Sequence, residues 1–491
     1  NANGGTGATA RVACMRASRS VEQIRDALRA LQARDLPSHG GRTLAYVYDS
    51  GLAEADAIGL EALSMFAGSN GLDPTAFPSL LAMENHLVGV ASSVLRAPDS
   101  VVGSATSGGT ESVLLAVLAA RDGSGRRVGD ASMVIPTTAH AAFHKAAHYF
   151  GVEVIMIDVD PVTFRADPGA MADAIREDTV LIVGSAPSYA HGVIDPIPEI
   201  AAIAADRGLR CHVDACIGGW VLPFLDDVPP WTFAVPGVTS ISIDLHKYAY
   251  TPKGVSLLLH RDSSLRKGHF FASADWPGYT MLNSTMQSTK SGGPLAAAWA
   301  VGQWIGVEGY GALAVRARGA ALEIARRAPG IPGVRLLVAP DSTLVTLTTD
   351  DSCDVFTIAD EMLSRGWYVQ PQMAYAGAPA SLHLTLSAAT AESVDEFVAA
   401  LAEATQAARA AGPVSVDSGL AAAAVALDPE TLSDNDFDGL LALAGLADGD
   451  GALELPERMA PVNALLDVAP PRLREALLLA FLDRLSRPTA H

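Results

Sequence analysis

Two lysines in one short segment are the residues most suited to chemistry. Lys247 and Lys253 both lie within residues 240–254, in a chain that has five lysines against 29 arginines. Chemistry that needs an amine able to lose its proton requires lysine, because arginine stays protonated. Such an amine forms Schiff bases with carbonyl groups, and a neighbouring cation such as a second lysine helps to depress its pKa. Lys247 is therefore the first candidate catalytic residue, and the alternative is that it merely closes a strand.

A glycine-rich turn gives the second signal. Gly108 and Gly109 stand in the stretch Thr-Ser-Gly-Gly-Thr-Glu-Ser at residues 106–112, which leads directly into a predicted helix. The glycines let the backbone approach an anion, the hydroxyls of Ser107 and Thr110 can donate hydrogen bonds, and a helix N-terminus supplies oriented N–H groups. This stretch therefore predicts an anion-binding cradle.

A carboxylate and a histidine complete the set. Asp214 ends a predicted buried strand, so it faces the crevice in which open α/β sheets bind ligands. His140 follows another predicted strand. The set now comprises an anion cradle, a flat ring that can stack, a carboxylate for a pyridinium proton and a lysine that can form an imine. Pyridoxal phosphate needs this combination to act as an electron sink.

At these residues the chain resembles the sphingosine-1-phosphate lyase family, a branch of the fold-type-I, group II decarboxylase-like enzymes. The resemblance runs from about Tyr46 to Leu386 and is carried by residues 107–112, 140–143, 191–196, 212–216 and 244–248. It implies a fold-type-I α/β enzyme with a mainly parallel central sheet that has helices on both faces. It also implies a smaller α+β C-terminal domain, pyridoxal 5'-phosphate as the cofactor and a homodimer with shared active sites.

The same resemblance implies roles for individual residues. Lys247 would form the Schiff base, Asp214 would keep the ring nitrogen protonated and His140 would stack on the ring face. The cofactor phosphate would be held by Gly108, Gly109, Thr110 and His246, with Ser291 and Gly292 reaching it from the second subunit. The substrate side would be lined by Tyr46, Tyr48, Asp73, Lys253 and His191. For His191 the alternative is a loop histidine that makes one backbone hydrogen bond.

Two departures from the family pattern bear on the substrate. Asp73 stands where the family commonly has a histidine, and an ionised carboxylate repels a phosphate dianion. Lys290 stands where the family commonly has an arginine, which removes a bidentate donor. We therefore expect weaker affinity for a phosphorylated head group than the family pattern implies.

The implied activity is cleavage of the Cα–Cβ bond of a 2-amino-3-hydroxy substrate, which gives an aldehyde and an aminoalkyl phosphate. Sphingoid-base phosphates are the leading candidate substrates, and the base would be His191 or the released Lys247. Two alternatives stay open. One is a pyridoxal-phosphate-dependent amino-acid decarboxylase, which would release CO₂ instead of an aldehyde. The other is a non-catalytic protein in which the cofactor pocket serves as a ligand sensor or stabilises the fold.

The elements that must position these residues are clearest between residues 100 and 260. Short apolar, β-branched runs alternate there with helix-like stretches, and this pattern predicts βαβ units around a largely parallel sheet. We expect a flexible tail at residues 1–16, a helical segment at 17–85, a large cofactor-binding domain at 86–310, a small α+β domain at 311–412 and an acidic helical extension at 413–491.

Composition limits the partners. Apolar residues at 49% and charged residues at 18% are typical of a compact protein. A formal net charge of −20 without clustered lysine and arginine argues against a nucleic-acid partner. Four scattered cysteines predict neither a disulfide framework nor a metal site, and no apolar run is long enough to span a bilayer. We expect a cytoplasmic protein whose partners are a small-molecule amine and a second copy of the chain.

Overall fold

The computed structural model describes residues 19–416 and 457–486, together with Gly419, Ser433, residues 435–437 and Gly439. The tail predicted at residues 1–16 lies outside this description, as does much of the extension predicted at residues 413–491. The chain divides into two compact units, of which one is Ser38–Val414 and the other combines residues 1–37 with 415–491.

A seven-stranded sheet forms the centre of the larger unit, in the strand order β1-β7-β6-β5-β4-β2-β3. Its strands are β1 (Val102–Thr106), β2 (Ala131–Pro136), β3 (Val152–Ile157), β4 (Thr179–Ser185), β5 (Arg210–Asp214), β6 (Ser240–Asp244) and β7 (Ser256–His260). Six strands run parallel, and β7 is antiparallel to both of its neighbours, β6 and β1. The mainly parallel sheet is confirmed.

Side chains of the central strands alternate between two apolar layers. Met133, Ile135 and Leu181 belong to one buried cluster, whereas Val134 and Ile182 belong to another. Alternation with period two sends neighbouring residues to opposite faces, so both faces of the sheet are covered. The covering and flanking helices are α2 (Ala53–Met65), α3 (Pro78–Val94), α4 (Gly109–Gly123), α5 (Ala142–Phe150), α6 (Pro168–Asp173), α7 (Ile197–Asp206) and α8 (Ser263–Arg266).

A smaller antiparallel sheet lies in the C-terminal part of the same unit. Its four strands follow the order β10-β11-β13-β12 and are preceded in the chain by a separate β8–β9 hairpin. The strands are β8 (Phe271–Ser273), β9 (Met281–Asn283), β10 (Val334–Leu336), β11 (Leu344–Thr349), β12 (Gln370–Gln372) and β13 (Ser381–Thr385). The accompanying helices are α9 (Gly292–Arg327), α10 (Val355–Ser364) and α11 (Val394–Ala411).

Helix α9 has 36 residues and crosses the position at which we placed the end of the large domain, residue 310. Its only residue with non-helical backbone angles is Gly306, with φ of 66°. Glycine adopts such a positive φ without the steric cost that a side chain would add.

The described part of the second unit is helical. It contains α1 (Val21–Gln32), α12 (Ala460–Val468) and α13 (Pro471–Leu485). Helix α1 begins with a capping box, in which Ser20 and Gln23 each accept a hydrogen bond from the backbone N–H of the other. Ala469 and Leu473 are buried together in a small cluster. In the part of the chain that the structure describes, no helix combines the length and apolar character that crossing a bilayer requires.

Candidate active site

A cavity of about 490 Å³ lies where β1, β5 and β6 end. The carboxyl ends of parallel strands meet at one edge of a sheet, which is where open α/β sheets bind ligands. Residues that bring polar groups to its wall include Ser107, Gly108, Gly109, Thr110, His140, Ser185, Tyr189, Asp214, Cys216, Asp244, His246, Lys247 and Lys253. The cavity therefore unites the cradle, the ring-side carboxylate, the stacking histidine and both lysines of the sequence analysis.

Lys247 forms a buried ion pair. Its Nζ lies 2.9 Å from Oδ2 of Asp244, a carboxylate that is only 2% exposed. Burial lowers the pKa of Lys247, but the groups that oppose burial, of which the Asp244 carboxylate is the strongest, together raise the net pKa. We expected a second lysine to depress the pKa of Lys247, and this prediction is wrong.

The second lysine, Lys253, is the amine whose pKa is depressed. Burial and the positive charge of Lys247 lower the pKa of Lys253 to about 8. Its Nζ donates to the backbone carbonyls of Tyr46 and His246, at 3.1 Å each, and lies 5.1 Å from the ring centroid of Tyr48. Tyr46 and Tyr48 are thereby placed beside Lys253, at the side of the cavity where the resemblance puts the substrate.

Asp214 occupies the end of β5, the strand next to β6. Its side chain is buried, and Oδ1 accepts a hydrogen bond from the backbone N–H of Cys216 at 3.1 Å and one from Ser242 Oγ at 3.4 Å. His140 accepts a hydrogen bond at Nδ1 from the backbone N–H of Ala142, at 3.1 Å, which fixes its ring at the cavity wall. These contacts hold both side chains without closing the space between them.

The glycine-rich turn forms the N-terminus of α4. Gly109 is its first residue, and a Cβ atom added there would lie 2.7 Å from Cys216 Sγ and 2.8 Å from Asp244 Oδ2. Glu111 supports the turn by accepting hydrogen bonds from the backbone N–H groups of Ser107 at 2.6 Å and Met286 at 2.8 Å. The backbone can therefore pack this closely only with glycine at residue 109, and the N–H groups that remain can face an anion.

His246 lies on the same wall, with Nδ1 2.8 Å from the carbonyl oxygen of Val255. This hydrogen bond leaves Nε2 for the cavity side, where it is 3.7 Å from Asp244 Oδ2. Burial lowers the pKa of His246, so the ring is neutral near pH 7. The Val255 carbonyl can only accept, so the proton lies on Nδ1 and Nε2 is an acceptor. Nε2 would donate to a phosphate once the ring is protonated, which a nearby dianion favours.

His191 lines a different cavity, of about 150 Å³, and is not among the described residues around Lys247. Its ring stacks on Phe164 with centroids 4.2 Å apart, and burial lowers its pKa to about 4. The structure therefore does not bring His191 together with Lys247.

Tyr189, two residues earlier, lines the Lys247 cavity and was missed by the sequence analysis. Its ring stacks on His383 with centroids 4.0 Å apart, and burial raises the pKa of its phenol. A tyrosine just after β4 was the available signal, but the sequence does not reveal which of Tyr189 and His191 turns toward the cavity.

Three further predicted residues lie outside this wall. Asp73 is exposed, and its Oδ1 accepts hydrogen bonds from Thr75 at the backbone N–H and the hydroxyl, which lower its pKa. Ser291 pairs with Asn70 in an isolated β-bridge, and Gly292 donates its N–H to the carbonyl oxygen of Ser69 at 2.9 Å. These residues form a group of their own around residues 69–73 and 290–292.

Lys290, the residue that replaces an arginine, is engaged in this second group. Its Nζ lies 2.7 Å from Oε2 of Glu84 and donates to the carbonyl oxygen of Ala105 at 3.2 Å. The amine thus ties the start of α9 to α3 and β1. Among the described residues no group of three or more histidine, cysteine, aspartate or glutamate side chains converges as metal ligands.

Two family models match the chain. The pyridoxal-dependent decarboxylase conserved domain matches residues 42–316, more than half of the chain. The C-terminal HTH domain of pyridoxal-dependent enzymes matches residues 418–484, about half of which lie outside the described residues. The absence of a nucleic-acid partner stays a prediction.

Three proteins are similar over most of the chain. A sphingosine-1-phosphate lyase of Dictyostelium discoideum is 40% identical over 332 residues, which are 67% of this chain and 62% of that protein. A Methanothrix thermoacetophila protein named "Probable L-tyrosine/L-aspartate decarboxylase" is 33% identical, with coverage of 71% and 87%. The solved structure of a sphingosine-1-phosphate lyase from Burkholderia pseudomallei is 34% identical with a TM-score of 0.75, and the match covers 80% of this chain and 92% of that one. The chain thus spans less than two thirds of the Dictyostelium lyase.

Proposed function

The chain belongs to the sphingosine-1-phosphate lyase family of pyridoxal-dependent enzymes, and from that premise we propose that it cleaves the Cα–Cβ bond of a phosphorylated 2-amino-3-hydroxy substrate. The products would be an aldehyde and an aminoalkyl phosphate, with sphingoid-base phosphates as the leading candidate substrates. The cofactor is pyridoxal 5'-phosphate, which supplies an electron sink for the bond that breaks.

One observation carries the proposal: a single cavity presents an amine, a strand-end carboxylate and a helix N-terminus that only glycine can form. Lys247 would hold the cofactor covalently, and Asp214 would hold the proton on its ring nitrogen. His140 would cover the ring face, while Gly108, Gly109, Thr110 and His246 would bind the phosphate. These are the roles that the resemblance implies, and the wall of the cavity supplies all of these residues.

Lys253 supports a phosphorylated substrate. With a pKa of about 8, its amine is mostly protonated near pH 7 and would gain further positive charge as a phosphate dianion approaches. The backbone carbonyl of Tyr46 accepts a hydrogen bond from its Nζ, and the ring centroid of Tyr48 lies 5.1 Å from the same atom. Asp73 is hydrogen-bonded to Thr75 and is not among the described residues that line the cavity of its own chain.

The Methanothrix relative favours one alternative, an amino-acid decarboxylase on the same scaffold. The two activities differ in the bond that breaks, so the products separate them. We expect the purified protein to form a long-chain aldehyde and an aminoalkyl phosphate from a sphingoid-base phosphate, and to release no CO₂ from tyrosine, aspartate or glutamate. Mass spectrometry of both products and a ¹⁴CO₂ release assay check this. CO₂ release without aldehyde would replace the lyase by the decarboxylase.

We further propose a homodimer in which each subunit completes the cavity of the other. Ser291 and Gly292, which would reach the cofactor phosphate, are not among the described residues that line the cavity of their own chain. The β8–β9 hairpin that precedes them exposes Phe271, Trp276 and Leu282. A second subunit would cover this apolar surface.

The dimer makes cofactor binding depend on protein concentration. On dilution we expect cofactor release to follow the appearance of monomer, as measured by analytical ultracentrifugation with absorbance detection. Leu282→Glu should shift both transitions to higher concentration, whereas Leu363→Glu, at another exposed leucine near the end of α10, should not. A stable monomer with full activity would contradict the proposal.

The compartment is also a proposal. Cys211, Cys216 and Cys353 are buried free thiols. Thiols stay free in reducing compartments, whereas disulfides form in oxidising ones. This supports the cytoplasmic location that we expected from the sequence.

A further inference from the structure

Asp244 has no role in the proposed function so far, although it lies closer to Lys247 than any other charged group described here. It is the last residue of β6, three positions before the lysine, and its Oδ2 faces Nζ at 2.9 Å. Its other oxygen, Oδ1, accepts a hydrogen bond of 2.6 Å from Ser256 Oγ on the antiparallel strand β7. One carboxylate oxygen is thus anchored to the sheet, and the other is presented to the amine.

The surroundings of this carboxylate keep it ionised. Burial raises the pKa of Asp244, but the positive charge of Lys247 and the hydrogen bond from the Ser256 hydroxyl oppose burial, and the net pKa is lowered. The N-terminus of α4 packs directly above it, since a Cβ atom at Gly109 would lie 2.8 Å and 2.9 Å from the two oxygens. A helix N-terminus stabilises a nearby negative charge.

Other groups that face Lys247 do not replace this charge. Tyr48 approaches from the N-terminal segment and Cys216 from the loop after β5, and burial raises the pKa of both, so both are neutral near pH 7. His246 is neutral for the reason given above, and Lys253 carries a positive charge. Of these groups only Asp244 supplies the negative charge that an ammonium at Lys247 needs in a buried site.

We propose that Asp244 is a positioning residue that makes the released amine of Lys247 the proton acceptor of the reaction. This rests on the proposed function. When the substrate amine displaces it, Lys247 leaves as a neutral amine. Nζ would then take the proton of the substrate's C3 hydroxyl as the Cα–Cβ bond breaks and the carbonyl of the aldehyde forms. The cofactor, when bound, would supply the electron sink for that bond. The ammonium that results is neutralised by Asp244, whose own protonation does not change.

The two carboxylates of the cavity, Asp214 and Asp244, have different partners and would therefore have different roles. Asp214, on β5, is bonded to the Cys216 N–H and Ser242, whereas Asp244, on β6, is bonded to Ser256 and paired with Lys247. The first would control the charge of the cofactor ring, and the second controls the charge of the lysine. His191, which lies in another cavity, is not needed as a base.

The test measures the proton affinity of Lys247 Nζ without any substrate. The full chain, freed of cofactor, is labelled with trace acetic anhydride across a pH series. Only the neutral amine reacts, so the labelling of each lysine rises with pH. Peptide mass spectrometry gives the midpoint pH of this rise for each lysine. In the wild type we expect Lys247 to have a higher midpoint than Lys253. In Asp244→Asn the Lys247 midpoint should fall by at least about one pH unit, which is roughly a tenfold faster reaction at a fixed pH below it.

Two comparisons complete the experiment. Exposed Lys145 serves as an internal reference in every digest, and Asp99→Asn, at an exposed aspartate, serves as the matched variant that leaves the Lys247 midpoint unchanged. If Asp244→Asn does not fold, the order of the Lys247 and Lys253 midpoints in the wild type still tests whether the proton affinity of Lys247 is raised. An unchanged Lys247 midpoint in Asp244→Asn, or a wild-type midpoint below that of Lys253, would overturn the proposal. Failure of the lyase product assay would leave this result intact, so the two proposals fail separately.

Discussion

Replacing Lys247 with alanine should abolish turnover and the visible absorption band of the bound cofactor together. The band depends on a covalent bond to an amine, and arginine cannot supply one. Lys253 is the other amine on the cavity wall, but the carbonyls of Tyr46 and His246 both hold its Nζ. Absorbance spectroscopy and the product assay measure the two losses on the same sample.

A borohydride experiment identifies the lysine directly. Reduction of the wild type should fix the cofactor to the peptide that contains Lys247, and Lys253→Ala should keep both the band and the labelled peptide. Retention of the band and of activity in Lys247→Ala would show that another amine binds the cofactor.

Gly109→Ala should lower both the free energy of unfolding of the protein and its affinity for the cofactor. The added methyl group would meet Cys216 Sγ at 2.7 Å and the Asp244 carboxylate at 2.8 Å, and neither neighbour can withdraw from a buried site. Overpacking of this kind typically destabilises by about 1–3 kcal/mol. Displacement of the α4 N-terminus would also misdirect the N–H groups that we propose bind the phosphate, so we expect a loss of cofactor affinity of roughly tenfold or more, equivalent to about 1.4 kcal/mol.

The matched control for this variant is Gly89→Ala in α3. A Cβ atom at Gly89 meets no atom within 4 Å, and alanine is favoured over glycine inside a helix. Urea unfolding and cofactor titration should therefore show unchanged or slightly higher stability for Gly89→Ala and unchanged affinity. Equal behaviour of the two variants would mean that the turn accommodates a side chain and that its glycine is dispensable.

Much of the site could be predicted because parallel strands place their carboxyl ends at one edge. Asp214 ends β5 and Lys247 follows β6, and these two strands are neighbours, so both residues line one cavity. The glycine-rich turn follows β1 at the same edge of the sheet. Runs of β-branched residues reveal such strands, and helix starts reveal the turn. The sequence therefore indicates both the sheet and the set of groups around its cavity.

Side-chain direction and local charge could not be predicted in the same way. Tyr189 and His191 lie in one loop, yet they stack on partners from distant parts of the chain, His383 and Phe164, and enter different cavities. These partners are set by tertiary packing and leave no local pattern.

The pKa of Lys247 shows the same limit. The second lysine in the motif is visible in the sequence, whereas the effect of Asp244 depends on the turn after β6, which brings the carboxylate back to Nζ. A pKa reflects the sum of burial and all nearby charges, so counting one neighbour gave the wrong direction.

The antiparallel strand β7 lies between β1 and β6 and fixes the distance between their ends. Thr106 at the end of β1 lies opposite Ser256, and Ser256 lies opposite Asp244 at the end of β6. Adjacent strands are about 4.8 Å apart. The ends of β1, which leads into the glycine-rich turn, and β6, which leads into the loop of Lys247, are therefore about 10 Å apart. Backbone hydrogen bonds set this spacing, and side chains do not enter it. Side chains that would contact the substrate can therefore change while the glycine-rich turn and the loop of Lys247, the two segments that would hold the cofactor, keep their spacing.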